Sequence, residues 1–408
     1  MTKQLLIIGL VWPEPKSSAA GSRMLQLIQV FLSDGYSITF ASTSNTSPNA
    51  YDLESLGVAT KAIELNNSSF DDFINELQPN MVLFDRFMTE EQFGWRVAAC
   101  CPDAIRILDT EDFHGLRKAR GEAVKLNVPL SIELLHNDTT KREIASIYRC
   151  DLSLIISEVE LEILIKDFNI SASLLHYVPF LLEPADNNTP SYEDRTHFIT
   201  IGNFLHAPNT DAVKYLKSTI WSKIREQLPK AELHVYGSYP SLGHMQLTDA
   251  KAGFIVKGFT DDVNTVMQTA KVCLAPLRFG AGLKGKLIDA MANGTPCVMT
   301  EVAAEGMFGD MESNGFIENS VASYVNMSVE LYSNKTLWTQ KQEHGFKALN
   351  VRFCDKDQKV KLIKRVDEII STLVKHRQNN FTGQLLQHHT LQSTKYMSKW
   401  IEAKNKSL

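Results

Sequence analysis

The stretch FGAGLKGKLIDAMANGTPCV, residues 279 to 298, sets Gly280, Gly282 and Gly285 beside two lysines, Lys284 and Lys286, and one carboxylate, Asp289. A helix start carries unpaired N–H groups and a partial positive charge, so lysines are unfavourable there unless an anion offsets them. Taken as a helix over 283–293, at about 100° per residue, Leu283, Leu287 and Met291 form a stripe that packs on a sheet. Lys286, Asp289 and Asn293 then share another face, in line with Gly282, and Lys284 points away unless it precedes the first regular turn. A phosphate with a hydroxyl-bearing neighbour satisfies this set. Lys286 and free N–H groups would meet the phosphate oxygens, and Asp289 would accept from sugar hydroxyls. The same spacing describes a surface Lys–Asp pair worth roughly a few tenths of a kcal/mol, and spacing alone leaves both readings open.

Two further segments bear on chemistry. The first candidate strand leads into WPEPKSSAAGSRMLQLIQVFL, where small residues and Gly21 precede an amphipathic helix. Such a loop lets a ligand approach the backbone, and it also reads as a plain turn between strand and helix. Neither half of the chain carries GxGxxG after its first strand, so the usual dinucleotide signal is missing. His114, in DTEDFHG, sits just past a candidate strand end, where α/β sheets bind ligands. The acids Asp109, Glu111 and Asp112 around it have no metal-ligand spacing, and no metal is expected.

The elements that must position these residues follow from the apolar pattern. QLLIIGLV, SITFAS, NMVLFD, IRILDT and LSLIIS in the first half are near-continuous apolar runs separated by amphipathic stretches. HFITIG, AELHVYG, GFIVKGF, VCLAPL and PCVMT repeat the pattern in the second. Such runs predict parallel strands buried on both faces. The chain is therefore expected to be α/β, with two tandem Rossmann-like domains facing across a cleft. The expected divisions are 1–183, a Pro- and Asn-rich linker over 184–196, a second domain over 197–368, and a terminal helix and tail over 369–408. In the terminal helix Leu362, Val366, Ile369, Ile370 and Leu373 make an apolar face, and in the tail Tyr396, Met397, Trp400 and Ile401 share a face expected to dock on the body.

Composition limits the function classes. With 44% hydrophobic and 22% charged residues the chain is that of a soluble globular protein, and a net charge of −5 gives no reason to expect nucleic acid as partner. Six cysteines without CxxC spacing read as reduced thiols in a cytoplasmic protein. No apolar run approaches the roughly 18 residues that cross a bilayer, and a peripheral membrane contact is left open.

FGAGLKGKLIDAMANGTPCVMT followed by AAEG resembles the donor-site segment of retaining glycosyltransferases of the GT-B fold, glycosyltransferase family 4. FITIGNFLHAPNTDAVKYL, LPKAELHVYGS and VKGFTDDVNTVMQTAKVCLAPLRFG are similar to the family's second domain, and ILDTEDFHGLRKAR and REIASIYRCDLSLIISEVE to stretches flanking its cleft. The resemblance implies a nucleotide-diphosphate sugar as co-substrate, no cofactor, and a glycan, lipid-linked or small-molecule acceptor. It implies that Lys286 holds the donor diphosphate, Asp289 the ribose, and that His114 faces the donor sugar. The family glutamate eight residues before Asp289 is Ala281 here, and the Arg–Lys phosphate clamp after the first strand of the second domain is replaced by His206 and Asn209. The clamp is then expected from Lys286 with help from Lys284 or Arg278, with Gly280 and Gly282 lining the loop and Glu305 reaching the donor from its neighbour. A nucleotide-sugar epimerase of the same fold and a non-catalytic nucleotide-sugar-binding protein are the competing readings.

Overall fold

The computed structural model describes residues 3–184, 188–354 and 356–388, with residues 396, 397, 400, 401 and 404 beyond them. Two parallel sheets organise the chain. The first holds β1 (Lys3–Gly9), β2 (Tyr36–Ser42), β3 (Ala59–Ala62), β4 (Met81–Asp85), β5 (Ile105–Asp109), β6 (Leu152–Ile155) and β7 (Leu175–Tyr177) in the order β3-β2-β1-β4-β5-β6-β7. The second holds β8 (His197–Ile201), β9 (Leu233–Tyr236), β10 (Phe254–Gly258), β11 (Ala270–Ala275), β12 (Cys297–Met299) and β13 (Gly315–Ile317) in the order β10-β9-β8-β11-β12-β13. This is the expected pair of Rossmann-like sheets.

The apolar runs are continuous because each strand feeds two cores. Leu6, Ile8, Val82, Phe84 and Leu108 join one apolar cluster, while their neighbours Leu5, Ile7, Met81, Leu83 and Ile107 join another on the opposite face. In the second sheet Ile199, Cys273 and Met299 pack on one side, and Phe198, Val272 and Val298 on the other. The helix Lys356–Asn379 returns to the first sheet, where Leu362, Val366 and Ile369 are buried in its core. Ile370, expected on the same face, is 47% exposed, because its position one residue after Ile369 carries it round to the solvent side. Tyr396, Met397, Trp400 and Ile401 are exposed rather than docked on the body.

A buried ion pair locks the first sheet to the helix Ala19–Ser33. The Arg23 guanidinium meets both oxygens of Asp109, with Nη2 2.9 Å from Oδ1, and the two side chains are 1% and 0% exposed. Nη1 also donates to the Val178 carbonyl at 2.6 Å, fixing the chain just after β7. Asp109 is thus a strand-end residue committed to Arg23. Removing one partner of such a pair leaves a buried charge uncompensated, at a cost of about 3–5 kcal/mol. Arg23→Met is therefore expected to lower the urea midpoint of the first domain by that amount of stability. Replacing both partners, Arg23→Met with Asp109→Leu, should recover much of it. A wild-type midpoint for the single variant would show that the pair contributes nothing.

Candidate active site

The glycine loop of the second domain is pressed against the first. Gly282 has φ +63°, and a Cβ there would come within 2.8 Å of the Asp112 Cβ, so both backbone shape and space require glycine. Its N–H donates at 2.5 Å to Glu160 Oε1, which also accepts from the Phe113 N–H at 3.1 Å. Glu160 lies in the helix Glu158–Lys166 of the first domain, so one carboxylate ties the glycine loop to the loop that carries His114. Arg120, in the helix His114–Leu126, adds a second tie. It donates to the Gly280 carbonyl at 2.9 Å and forms a two-pronged pair with Glu305, at 2.9 and 2.6 Å. Ala281, between these glycines, is 8% exposed and sits in the apolar cluster of the first domain.

The helix of the opening segment starts at Gly285 and ends at Ala292, with Lys284 as the residue before its first turn. Lys286 is 9% exposed, and its ammonium donates to Asn209 Oδ1 at 2.9 Å. The Asn209 amide donates in turn to the Asn203 carbonyl at 3.0 Å, so the loop after β8 holds it in place. Burial pushes the Lys286 ammonium down to about 8 and the half-buried Asp289 carboxyl up to about 7. No ion pair joins the two, and the surface Lys–Asp pair does not describe them. The Asp289 carboxyl accepts no hydrogen bond among the described residues.

His114 opens its helix and is held on two sides. Its Nδ1 lies 2.9 Å from the Asp112 carbonyl and 3.1 Å from Asp112 Oδ1, with Glu143 Oε1 at 3.4 Å. Glu143 also accepts the N–H groups of His114 and Gly115, at 3.2 and 3.0 Å, capping the helix start. Burial disfavours the imidazolium, but Asp112 and Glu143 outweigh it and raise His114 above its ordinary value. Burial also opposes charge on Asp112, yet Arg117 and His114 hold it well below the carboxylate range. From the second domain, the exposed His206 faces the same group, with Asp112, Arg117 and His114 near enough to act on its charge.

Other residues expected at the site have different partners. The Lys284 ammonium folds back on the carbonyls of Ala281, at 3.0 Å, and Gly282. It braces the loop from beneath, and burial lowers it to about 8. Arg278 forms a two-pronged pair with Asp211, Nε at 2.8 Å from Oδ2, and lies over the Tyr215 ring on the surface. Gly21 is buried, and a Cβ on it would strike the backbone of Glu14 at 2.4 Å, so this glycine serves packing. Glu305 is engaged by Arg120 rather than free. Arg120, Glu143 and Glu160 carry no local signal, because each lies on an ordinary amphipathic helix.

Residues 195–334 match the model of the family described as Glycosyl transferases group 1. No curated protein matches the chain by sequence. Among solved structures the chain is similar to TarM, with a TM-score of 0.69 at 8% identity over 90% of this chain and 99% of that one. It is similar to the sucrose-phosphate synthase of Thermosynechococcus elongatus, with a TM-score of 0.67 at 13% identity over 90% and 100%. Anabaena HepE, in complex with UDP and glucose, gives 0.65 at 10% identity over 91% and 100%. Against an S. aureus TarM mutant in complex with UDP, the match spans 58% of that chain, with a TM-score of 0.55 at 10% identity over 74% of this chain. The second domain thus resembles the glycosyl transferases group 1, and the whole chain shares the GT-B architecture of these solved structures.

The shifted groups give this site a measurable signature. Charging Lys286 near neutrality works against the folded state, because its folded pKa of about 8 lies below the unfolded 10.5. A diphosphate beside it would raise that value. Binding of UDP or GDP at pH 8 is therefore expected to take up roughly half a proton through Lys286, a group at its pKa being half neutral. Calorimetry in buffers of different ionisation enthalpy reads this directly. Zero uptake would separate the diphosphate from Lys286.

Proposed function

We propose that the chain transfers a hexosyl group from a nucleotide-diphosphate sugar to a glycan, lipid-linked or small-molecule acceptor, with retention of configuration. The observation that carries this reading is Lys286. It is a buried cation held by Asn209 beneath the glycine loop, at a helix start, with no carboxylate paired to it among the described residues. In the proposed site Lys286 meets the donor diphosphate and stabilises the charge that grows on the leaving oxygen, where a preorganised donor is most effective. Asp289 binds the ribose, and His114, its proton affinity raised by Asp112 and Glu143, faces the sugar and the leaving phosphate. Closure of the two domains excludes water that would hydrolyse the donor. HepE, crystallised with UDP and glucose, supports a nucleoside diphosphate as the leaving group.

We place the reaction in polysaccharide biosynthesis in the cytoplasm. No helix among the described residues is long and apolar enough to cross a membrane. The exposed Tyr396, Met397, Trp400 and Ile401 support a peripheral contact with a membrane surface as part of this reading. A nucleotide-sugar epimerase of the same fold needs a carboxylate base in the cleft. Glu111, half-buried beside the glycine loop, is one observation in its favour.

A panel of nucleotide sugars, with and without sugar acceptors, decides between these. Transfer supports the proposal, interconversion without acceptor supports the epimerase, and binding without turnover leaves a sensor. Lys286→Ala is expected to lower kcat by about 10² to 10³, the usual loss of one donor to a developing anion. Asp289→Asn should instead raise donor KM with kcat nearly unchanged, the pattern of lost uniform binding. Wild-type kinetics in both variants would remove the donor site from this helix.

A further inference from the structure

A second set of hydrogen bonds crosses between the domains where β1, β2, β8 and β9 end, away from Glu160 and Arg120. On the second domain, Tyr239 follows β9 in the turn GSYPS and is 36% exposed. Its hydroxyl donates to Glu14 Oε2 at 2.7 Å and accepts from the Asn49 amide at 3.3 Å. Glu14 follows β1 and Asn49 follows β2, so one phenol holds two loops of the first domain. The other Glu14 oxygen accepts from Ser47 Oγ, which fixes the carboxylate for the phenol. Beside this contact, Ser238 Oγ and the Asn203 amide both donate to the Ser17 carbonyl, each at 3.4 Å. Asn203 also links this edge to the site. Its carbonyl accepts from the Asn209 amide, and Asn209 Oδ1 accepts from the Lys286 ammonium.

The turn that presents Tyr239 is unfavourable in itself. Its φ is +56°, in the left-handed region, where a bulky side chain is an outlier. Pro240 follows, and the residue before a proline prefers extended backbone. Asparagine tolerates the left-handed region, and Asn66, Asn127 and Asn169 occupy it. Tyrosine has no such tolerance. Among the described residues, the hydrogen bonds of Tyr239 are the two of its hydroxyl, and both cross to the first domain. Strain of this kind persists where surrounding contacts hold it, and here those contacts belong to the other domain.

Resting on the domain closure of the proposed function, we propose that Glu14 and Tyr239 form a clasp that shuts this edge of the cleft against a strained turn. The closed state then carries its own drive to reopen, because opening lets Tyr239 return to extended backbone. Product release calls for such an opening.

Hydrogen exchange on the ligand-free full chain tests the clasp, with the amides of residues 14–18 and 237–239 as reporters. Tyr239→Phe keeps the ring and the turn and removes both bonds. Exchange at the reporters is expected to speed up at least about tenfold, the loss of one charge-assisted bond, with β1 unchanged. Glu14→Ala breaks the clasp from the other domain and should give the same increase. In the Glu14→Ala background, Tyr239→Gly should raise the melting temperature, because the turn relaxes with no clasp left to lose. Wild-type exchange in both Tyr239→Phe and Glu14→Ala would overturn the clasp. A lower or unchanged melting temperature for Tyr239→Gly in that background would overturn the strained turn, and the drive to reopen with it. Calorimetry with UDP and GDP on the wild type bears on the proposed function separately. Binding of neither would remove the glycosyltransferase reading, while the exchange comparison still decides the clasp.

Discussion

One carboxylate sets the geometry of the cleft. Glu160 Oε1 accepts N–H groups from Phe113 and from Gly282, one in each domain, so it fixes the distance between the loop of His114 and the glycine loop above Lys286. Each charge-assisted bond contributes roughly 1.5–3 kcal/mol. Against this stand a nearly full burial and an Oε2 without a partner. Burial raises the carboxyl to about 7, which means that its charged form is only weakly favoured at neutral pH. The two bonds and the cost of burying the carboxylate therefore oppose one another at this contact. Arg120 closes the other edge of the same loop through Gly280 and Glu305, and the loop is gripped on both sides.

A loop gripped in this way is rigid and charged, and the charge is not balanced internally. Lys284 and Lys286 are lowered towards neutrality by burial while Asp289 is raised towards it. Each shift says that the closed cleft holds a charge at a cost in folded-state stability near pH 7. An anion placed beside the lysines offsets that cost without moving any group, since Asn209 and the carbonyls of Ala281 and Gly282 already orient the two ammonium groups. Preorganisation of this kind is where electrostatic catalysis draws its advantage.

The sequence makes the interior strands legible and the edges illegible, for one reason. β1, β4, β8 and β11 are buried on both faces, so they read as apolar runs. β3 is four exposed residues, and β7 and β13 are three residues each, so pairing with a neighbour defines them rather than composition. The site divides in the same way. Lys286 was readable because a cation at a helix start is a local anomaly. The destinations of Arg278, Lys284, Glu305 and Gly21 were not, because Asp211, the loop carbonyls, Arg120 and the Glu14 backbone are met only in the folded chain. Glu160 and Arg120 lie on helices whose patterns are those of any surface helix, and nothing local distinguishes them.

The replacement of the expected glutamate by Ala281 has a physical account in the same packing. Ala281 is 8% exposed within a cluster that includes Phe113 and Leu116 of the first domain. A carboxylate at that position would be buried among apolar side chains near Glu160, with the neighbouring Lys284 ammonium already turned onto backbone carbonyls. Burying an unpaired charge is far more costly than burying a methyl group. Closure through Glu160 and a glutamate at 281 are therefore alternatives. With the alanine, the loop gains a tight seat on the first domain and, under the proposed function, lacks the sugar contact a glutamate would supply. In the proposed reaction, recognition of the transferred sugar would come from the first-domain side of the seam, where His114 is held by Asp112 and Glu143.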